Sequence, residues 1–92
     1  MFHELKLKLA FIKPIYNGEK TFEIRKNDRG FQKGDRIRFK AVDEIGLHMR
    51  TKLDEMEFEI TYVLSGWGLE PGFVAFGIKP LPPSLWRPEE DA

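Results

Sequence analysis

Residues 18–25 read Gly-Glu-Lys-Thr-Phe-Glu-Ile-Arg, a turn glycine followed at once by a strand that carries ionisable side chains. From Thr21 to Arg25 the chain alternates, with Phe22 and Ile24 on one side and Thr21, Glu23 and Arg25 on the other. Residues two apart on a strand stand about 7 Å apart at their bases, so Glu23 and Arg25 can reach one ligand, and each can tune the charge of the other. Arg25 offers a planar fork for a carboxylate, a phosphate or a nucleobase edge, and Lys20 a mobile ammonium. An ion pair on an exposed strand face satisfies the same spacing.

On the N-terminal side, His3 to Leu7 alternates with Leu5 and Leu7 on one face, which predicts a first strand. Leu9 to Asn17 places Phe11, Ile12, Ile15 and Tyr16 at near-helical spacing and ends at Gly18, so a short helix is expected there, bent at Pro14 or beginning close to it. On the C-terminal side, Asn27 to Gly34 is a turn-rich loop with Phe31 as its anchor. Arg36 to Ala41 then alternates with Ile37, Phe39 and Ala41 inward and Arg36, Arg38 and Lys40 outward. Asp43 to Asp54 has no clear period and reads as a long loop or an extended excursion. Met56 to Leu64 carries one apolar row, Met56, Phe58, Ile60, Tyr62 and Leu64, opposite Glu57, Glu59 and Thr61. Phe73 to Lys79 is apolar on both faces, as in a central strand, with Gly77 marking a bulge or a close backbone approach. The prolines at 80, 82, 83 and 88 predict an extended tail, with Trp86 able to fold back. Five short strands and one or two short helices point to an α+β, mainly β domain whose curved sheet closes into a small barrel.

At 92 residues the chain closes one core, taken as residues 1–80, followed by a Pro-rich acidic tail at 81–92. The absence of cysteine excludes disulfides, thiolate zinc sites and a cysteine nucleophile. His3 and His48 are 45 positions apart without ligand spacing around them, so neither a metal nor any other cofactor is expected. No apolar run approaches the roughly 20 residues of a membrane span, and the first residues lack a signal pattern, which predicts a cytoplasmic protein. The net charge of zero hides a segregation. Residues 20–40 hold 8 Lys or Arg against 3 acids, or +5, whereas residues 41–92 hold 4 against 10, or −6. The basic block is a candidate phosphate-facing surface, with Arg36, Arg38 and Lys40 as its contacts. Pairing of opposite charges across neighbouring strands accounts for the same segregation.

Gly18, Lys20, Glu23 and Arg25 resemble the G-x-K-x-x-E-x-R signature of the ASCH domain, a member of the PUA-like barrel superfamily. The resemblance is closer to DUF3850, a small bacterial and phage branch of unknown function. It rests on His3 to Lys6, Lys20 to Arg29, Gly34-Asp35, Ile60-Thr61-Tyr62 and Gly72-Phe73-Val74, and covers about residues 3–80. It implies a PUA-like, ASCH-type β-barrel whose signature residues line a cleft beside the helix, and a role in binding RNA or a nucleotide-like small molecule. The ligand-binding residues expected on this basis are Lys20, Glu23, Arg25, Lys26 and Arg29. Trp67, in the glycine-rich turn before the last strand, is placed either to stack on a base at the cleft mouth or to close the end of the barrel. Two other functions remain open. Some small ASCH proteins are similar to amidohydrolases acting on N4-acylcytidine, where Lys20 and Glu23 would be the catalytic candidates, but Glu23 falls where those enzymes carry a threonine nucleophile. The third is a non-catalytic protein-interaction module.

Overall fold

The five alternating segments form five strands in the computed structural model, which describes residues 1–88. β1 is Phe2–Lys8, β2 Phe22–Lys26, β3 Arg36–Val42, β4 Phe58–Ser65 and β5 Phe73–Pro80. They make one mixed sheet in the order β1-β3-β4-β5-β2, with β1 parallel to β3 and the other neighbours antiparallel. β1 and β2 are the two edges and share no ladder, so the expected closed barrel is instead an open sheet. The edges nevertheless lie within side-chain reach. Arg25 Nη2 donates to the Lys6 carbonyl at 2.6 Å and Arg29 Nη1 to the Glu4 carbonyl at 2.9 Å. Guanidinium groups thus occupy acceptors on β1 that a closing strand would have used, and they blunt an edge that would otherwise invite pairing.

A 3₁₀ turn at Leu9–Phe11 leads into a short helix, α1 (Ile12–Tyr16). Pro14 sits in its first turn, where its missing N–H costs no hydrogen bond. The Pro14 carbonyl accepts from the amides of both Glu19 (2.9 Å) and Lys20 (3.0 Å), and Gly18, at φ +76°, makes the reversal between them possible. Lys20 is thereby fixed against α1 just before β2 begins.

The core takes Leu5 and Leu7 from β1, Ile37, Phe39 and Ala41 from β3, Phe58 and Ile60 from β4, and Val74, Phe76 and Ile78 from β5. Ile15, Phe31 and Leu53 close it from outside the sheet. β2 supplies no apolar residue to this set. Its inward position is Glu23, 4% exposed, while Phe22 and Ile24 face outward.

The apolar row expected along Met56 to Leu64 breaks in the middle. A register shift between Ile60 and Tyr62 turns Tyr62 to solvent and brings Val63 against the core. The shift lies opposite Gly77, where an added Cβ would stand 2.4 Å from Thr61 Oγ1, so Gly77 is the close approach that its position in the strand suggested.

The loop after β3 is pinned by a bridge between Val42 and His48 and by a 3₁₀ turn at Lys52–Glu55 with a Thr51/Asp54 capping box. Nor is the proline segment a free extended strand as far as residue 88. A 3₁₀ turn forms at Pro83–Leu85, where prolines need no donor, and Trp86 Nε1 donates to the Leu81 carbonyl at 2.9 Å. Residues 89–92, the acidic end of the expected tail, lie outside the described residues.

Neither histidine is an idle surface group. His3 is buried with its ring edge-on to Phe31, and its Nε2 lies 2.8 Å from Asp35 Oδ2. His48 Nε2 lies 2.7 Å from Asp54 Oδ2. Burial pushes the Asp35 pKa up, but the bonds from His3, the Gln32 amide and the Met1 amine outweigh it and hold the carboxyl below its ordinary value.

Two predictions follow from these contacts. Gly77→Ala is expected to destabilise the protein by about 1 to 3 kcal/mol through overpacking, and Thr61→Ala in the same chain to restore most of the loss, as read from denaturant midpoints. Because native Asp35 holds its proton less tightly than the unfolded chain does, its stabilisation is complete above the ordinary value of 3.8 and is lost as pH falls through the lower native value. Asp35→Asn should therefore flatten the dependence of stability on pH in the acid range, as read from denaturant midpoints at a series of pH values.

Candidate functional site

The gap between β1 and β2 is a cleft of about 590 Å³. Lys6 and Lys8 line it from β1, Phe11 from the turn before α1, and Lys20, Phe22, Glu23, Ile24, Arg25 and Lys26 from around β2, with Phe73 at one end. Five cationic side chains face one carboxylate there, a local balance of +4.

Glu23 organises this group. Its Oε2 accepts from Lys20 Nζ, and its Oε1 accepts from Arg25 Nε at 2.9 Å and lies 2.8 Å from Arg25 Nη2. Lys20 also donates to the Phe22 carbonyl at 2.8 Å, and its ammonium stands 4.8 Å from the centre of the Phe11 ring and 5.1 Å from that of Phe22. Both carboxylate oxygens are engaged, so Glu23 orients the two cations and is not a free base. Arg25 spends Nε and Nη2 on Glu23 and Lys6 and leaves Nη1 as the donor available to a ligand.

Backbone groups also face the cleft. The Ile78 amide donates to the Thr21 carbonyl and the Asn27 amide to that of Gly72, so alternate residues of β2, Glu23 and Arg25 among them, turn their main chain toward β5. Phe22, Ile24 and Lys26 therefore turn theirs toward the gap, and Ile24 presents an N–H and a C=O side by side on the cleft wall.

The structure brings Lys20, Glu23, Arg25 and Lys26 together. Arg29 does not line the cleft, and its guanidinium ties the following loop to β1. Trp67 is also absent from the lining. It sits in the β4–β5 turn at φ +52° and is 89% exposed. The basic residues of β3 have internal partners: Arg38 is buried with Nη2 3.1 Å from Glu57 Oε2, Arg36 lies 3.6 Å from Glu57 Oε1, and Lys40 is 3.7 Å from Asp54 Oδ2. Both arginines also hold the C-terminal segment, Arg38 through the Arg87 carbonyl at 2.6 Å and Arg36 through that of Leu85 at 3.1 Å. Sequence reasoning did not single out Lys6, Lys8 or Phe11. The one signal of the two lysines was their outward row on β1, and only the strand order brings that row opposite β2.

Among the described residues no cluster of three His, Cys, Asp or Glu is arranged to hold a metal ion, and no helix is long and apolar enough to cross a membrane.

The family described as a domain of unknown function, DUF3850, matches residues 2–78, from the start of β1 through most of β5. This chain belongs to the DUF3850 family. The matched span includes both edges of the cleft and every residue that lines it. Among solved structures, the protein is similar to one titled "Crystal structure of hypothetical protein PH0355", with a TM-score of 0.57 and 19% identity. The similarity covers 88% of this chain and 100% of the other, and at that identity it speaks for the fold alone. No curated protein is detectably similar in sequence.

If Glu23 holds Lys20 and Arg25 in place, Glu23→Gln should cost about 1 to 3 kcal/mol, since it weakens two charge-assisted bonds at a buried acceptor. Chemical denaturation of the two proteins in parallel measures this. A variant as stable as the parent would mean that the cations are held by other contacts.

Proposed function

We propose that the β1–β2 cleft of this DUF3850 protein binds a nucleotide-like anion, either free or within single-stranded RNA. The observation that carries this reading is the charge balance of +4 in a cleft with aromatic rings in its wall. Lys6, Lys8 and Lys26 are exposed along it and suit phosphate contacts. Phe11 and Phe22 offer ring surface for a base, and the Ile24 main chain offers a donor and an acceptor for its polar edge. Arg25 is the fixed recognition group. The likeness of Gly18, Lys20, Glu23 and Arg25 to the ASCH signature, with the PUA-like ancestry it implies, supports the same ligand class by analogy. Arg36, Arg38 and Lys40 take no part, because Glu57 and Asp54 engage them.

Hydrolysis of N4-acylcytidine fits this geometry poorly. Water attack would need a carboxylate free of cations, and both oxygens of Glu23 are occupied. No acetate release from N4-acetylcytidine is expected in a chromatographic assay, and turnover abolished by Glu23→Gln would reverse that conclusion.

Fluorescence anisotropy with a labelled single-stranded RNA, and competition by mononucleotides, tests the binding reading. Lys8→Ala and Lys26→Ala should each reduce the slope of log affinity against log salt by about one. Arg25→Ala should weaken a preferred nucleotide about tenfold or more with little change in slope. Absence of binding at low salt, or binding indifferent to all three substitutions, would leave the interaction-module reading in its place.

A further inference from the structure

A guanidinium offers two pairs of parallel N–H groups, one along its Nε side and one across its end. In Arg25 the side pair is spent on Glu23: Nε donates to Oε1 at 2.9 Å, and Nη2 lies 2.8 Å from the same oxygen. Because Glu23 is itself buried, this contact fixes the plane of the guanidinium from within the core. The end pair, formed by Nη1 and the second N–H of Nη2, remains for the cleft that Arg25 lines. Nη2 there donates to the Lys6 carbonyl at 2.6 Å, while Nη1 has no partner among the described residues. Lys6 lies on an edge strand and turns this carbonyl away from β3, so another acceptor can replace it without the loss of a ladder bond. The end pair therefore suits a carbonyl oxygen that has a second acceptor at its side. Guanine carries such a pair as O6 and N7, and cytosine as O2 and N3. Adenine has no carbonyl, and each carbonyl of uracil has the N3–H donor beside it. Cytosine O2 stands next to the glycosidic bond, where the ribose crowds a guanidinium held this firmly, whereas the O6/N7 edge of guanine is clear of the sugar.

We infer that Arg25 reads the O6/N7 edge of a guanine nucleotide, the base taking the place of the Lys6 carbonyl on the guanidinium. This inference rests on the nucleotide reading of the cleft given above and names the base. Guanine held by that edge keeps its N1–H and 2-amino group as donors, and the cleft wall supplies an acceptor for such donors in the Ile24 carbonyl. The exchange also has a structural consequence. It removes the Arg25 link between β1 and β2 and leaves the link from Arg29 to the Glu4 carbonyl, so the Lys6 carbonyl itself reports occupancy.

Titration calorimetry of the full chain with the monophosphates of guanosine, inosine, 7-deazaguanosine, adenosine and cytidine tests this. The guanosine and inosine nucleotides, which share O6 and N7, should bind about tenfold or more tighter than the adenosine nucleotide. The 7-deazaguanosine nucleotide, which lacks N7, and the cytidine nucleotide should fall to the adenosine level. In the unmutated protein the carbonyl carbon resonance of Lys6 should shift with the guanosine nucleotide and stay in place with the adenosine one. Arg25→Lys keeps the charge but not the planar fork, so it should erase the preference for guanine while the adenosine nucleotide binds as before. The nucleotide series and the Lys6 resonance need no variant, so they decide the matter even where Arg25→Lys fails to fold. Guanosine binding no tighter than adenosine or cytidine, full affinity for the 7-deaza nucleotide, or a preference that survives Arg25→Lys would each overturn the inference. Equal binding of all five nucleotides removes guanine reading alone and leaves the nucleotide function standing, whereas failure of every nucleotide and of RNA to bind removes both.

Discussion

A buried carboxylate between two cations sets the geometry of the open side of this sheet. Glu23 occupies the place where β2 would ordinarily put an apolar side chain into the core, and it is tolerated because Lys20 and Arg25 satisfy both of its oxygens. Arg25, held in this way, reaches across to the Lys6 carbonyl. The same contact brings the two edges together and keeps them from zipping into a ladder. An alkyl side chain at position 23 would leave Arg25 without its anchor and the seam without its bridge.

The distribution of the other charges follows from two further buried acids. Glu57 and Asp54 are fully buried, and the basic side chains of β3 converge on them. Around Glu57 this convergence also secures the C-terminal segment, because the Arg87 amide donates to the same carboxylate and the Arg87 guanidinium stacks 4.1 Å from the Phe2 ring. Along β1 and β2, by contrast, five cations line a cleft with the single carboxylate of Glu23. The positively charged cleft is therefore built from cations of the first 26 residues, even though the densest basic run in the sequence lies between residues 20 and 40.

Much of the fold was legible along the chain, because a period of two needs only neighbouring residues to reveal it. The strands near 3–7, 21–25, 36–41, 56–64 and 73–79 all form, with ends displaced by one or two residues, and the helix begins close to Pro14 as its ring requires. The Gly77 approach was legible as well, since a glycine inside an apolar strand has few other uses. Of the cleft, Lys20, Glu23, Arg25 and Lys26 were visible as one charged run, and Lys6 and Lys8 were not, because they belong to a separate strand whose pairing position cannot be read from neighbouring residues.

The sequence by itself determined which residues are strands, where the chain turns and which side chains share a face of each strand, for these depend on local sterics and alternation. Only the tertiary structure decided which face points inward. Alternation in β2 separates Phe22 and Ile24 from Glu23 and Arg25 without saying which pair is buried, and that choice turns on partners found at Lys6, Lys20 and Phe11. It also decided that the sheet stays open and that the bulge beside Thr61 reverses the second half of β4. These outcomes depend on contacts between segments far apart in the chain, where one long-range hydrogen bond to a charged group outweighs the local preference of a residue for water or for the core.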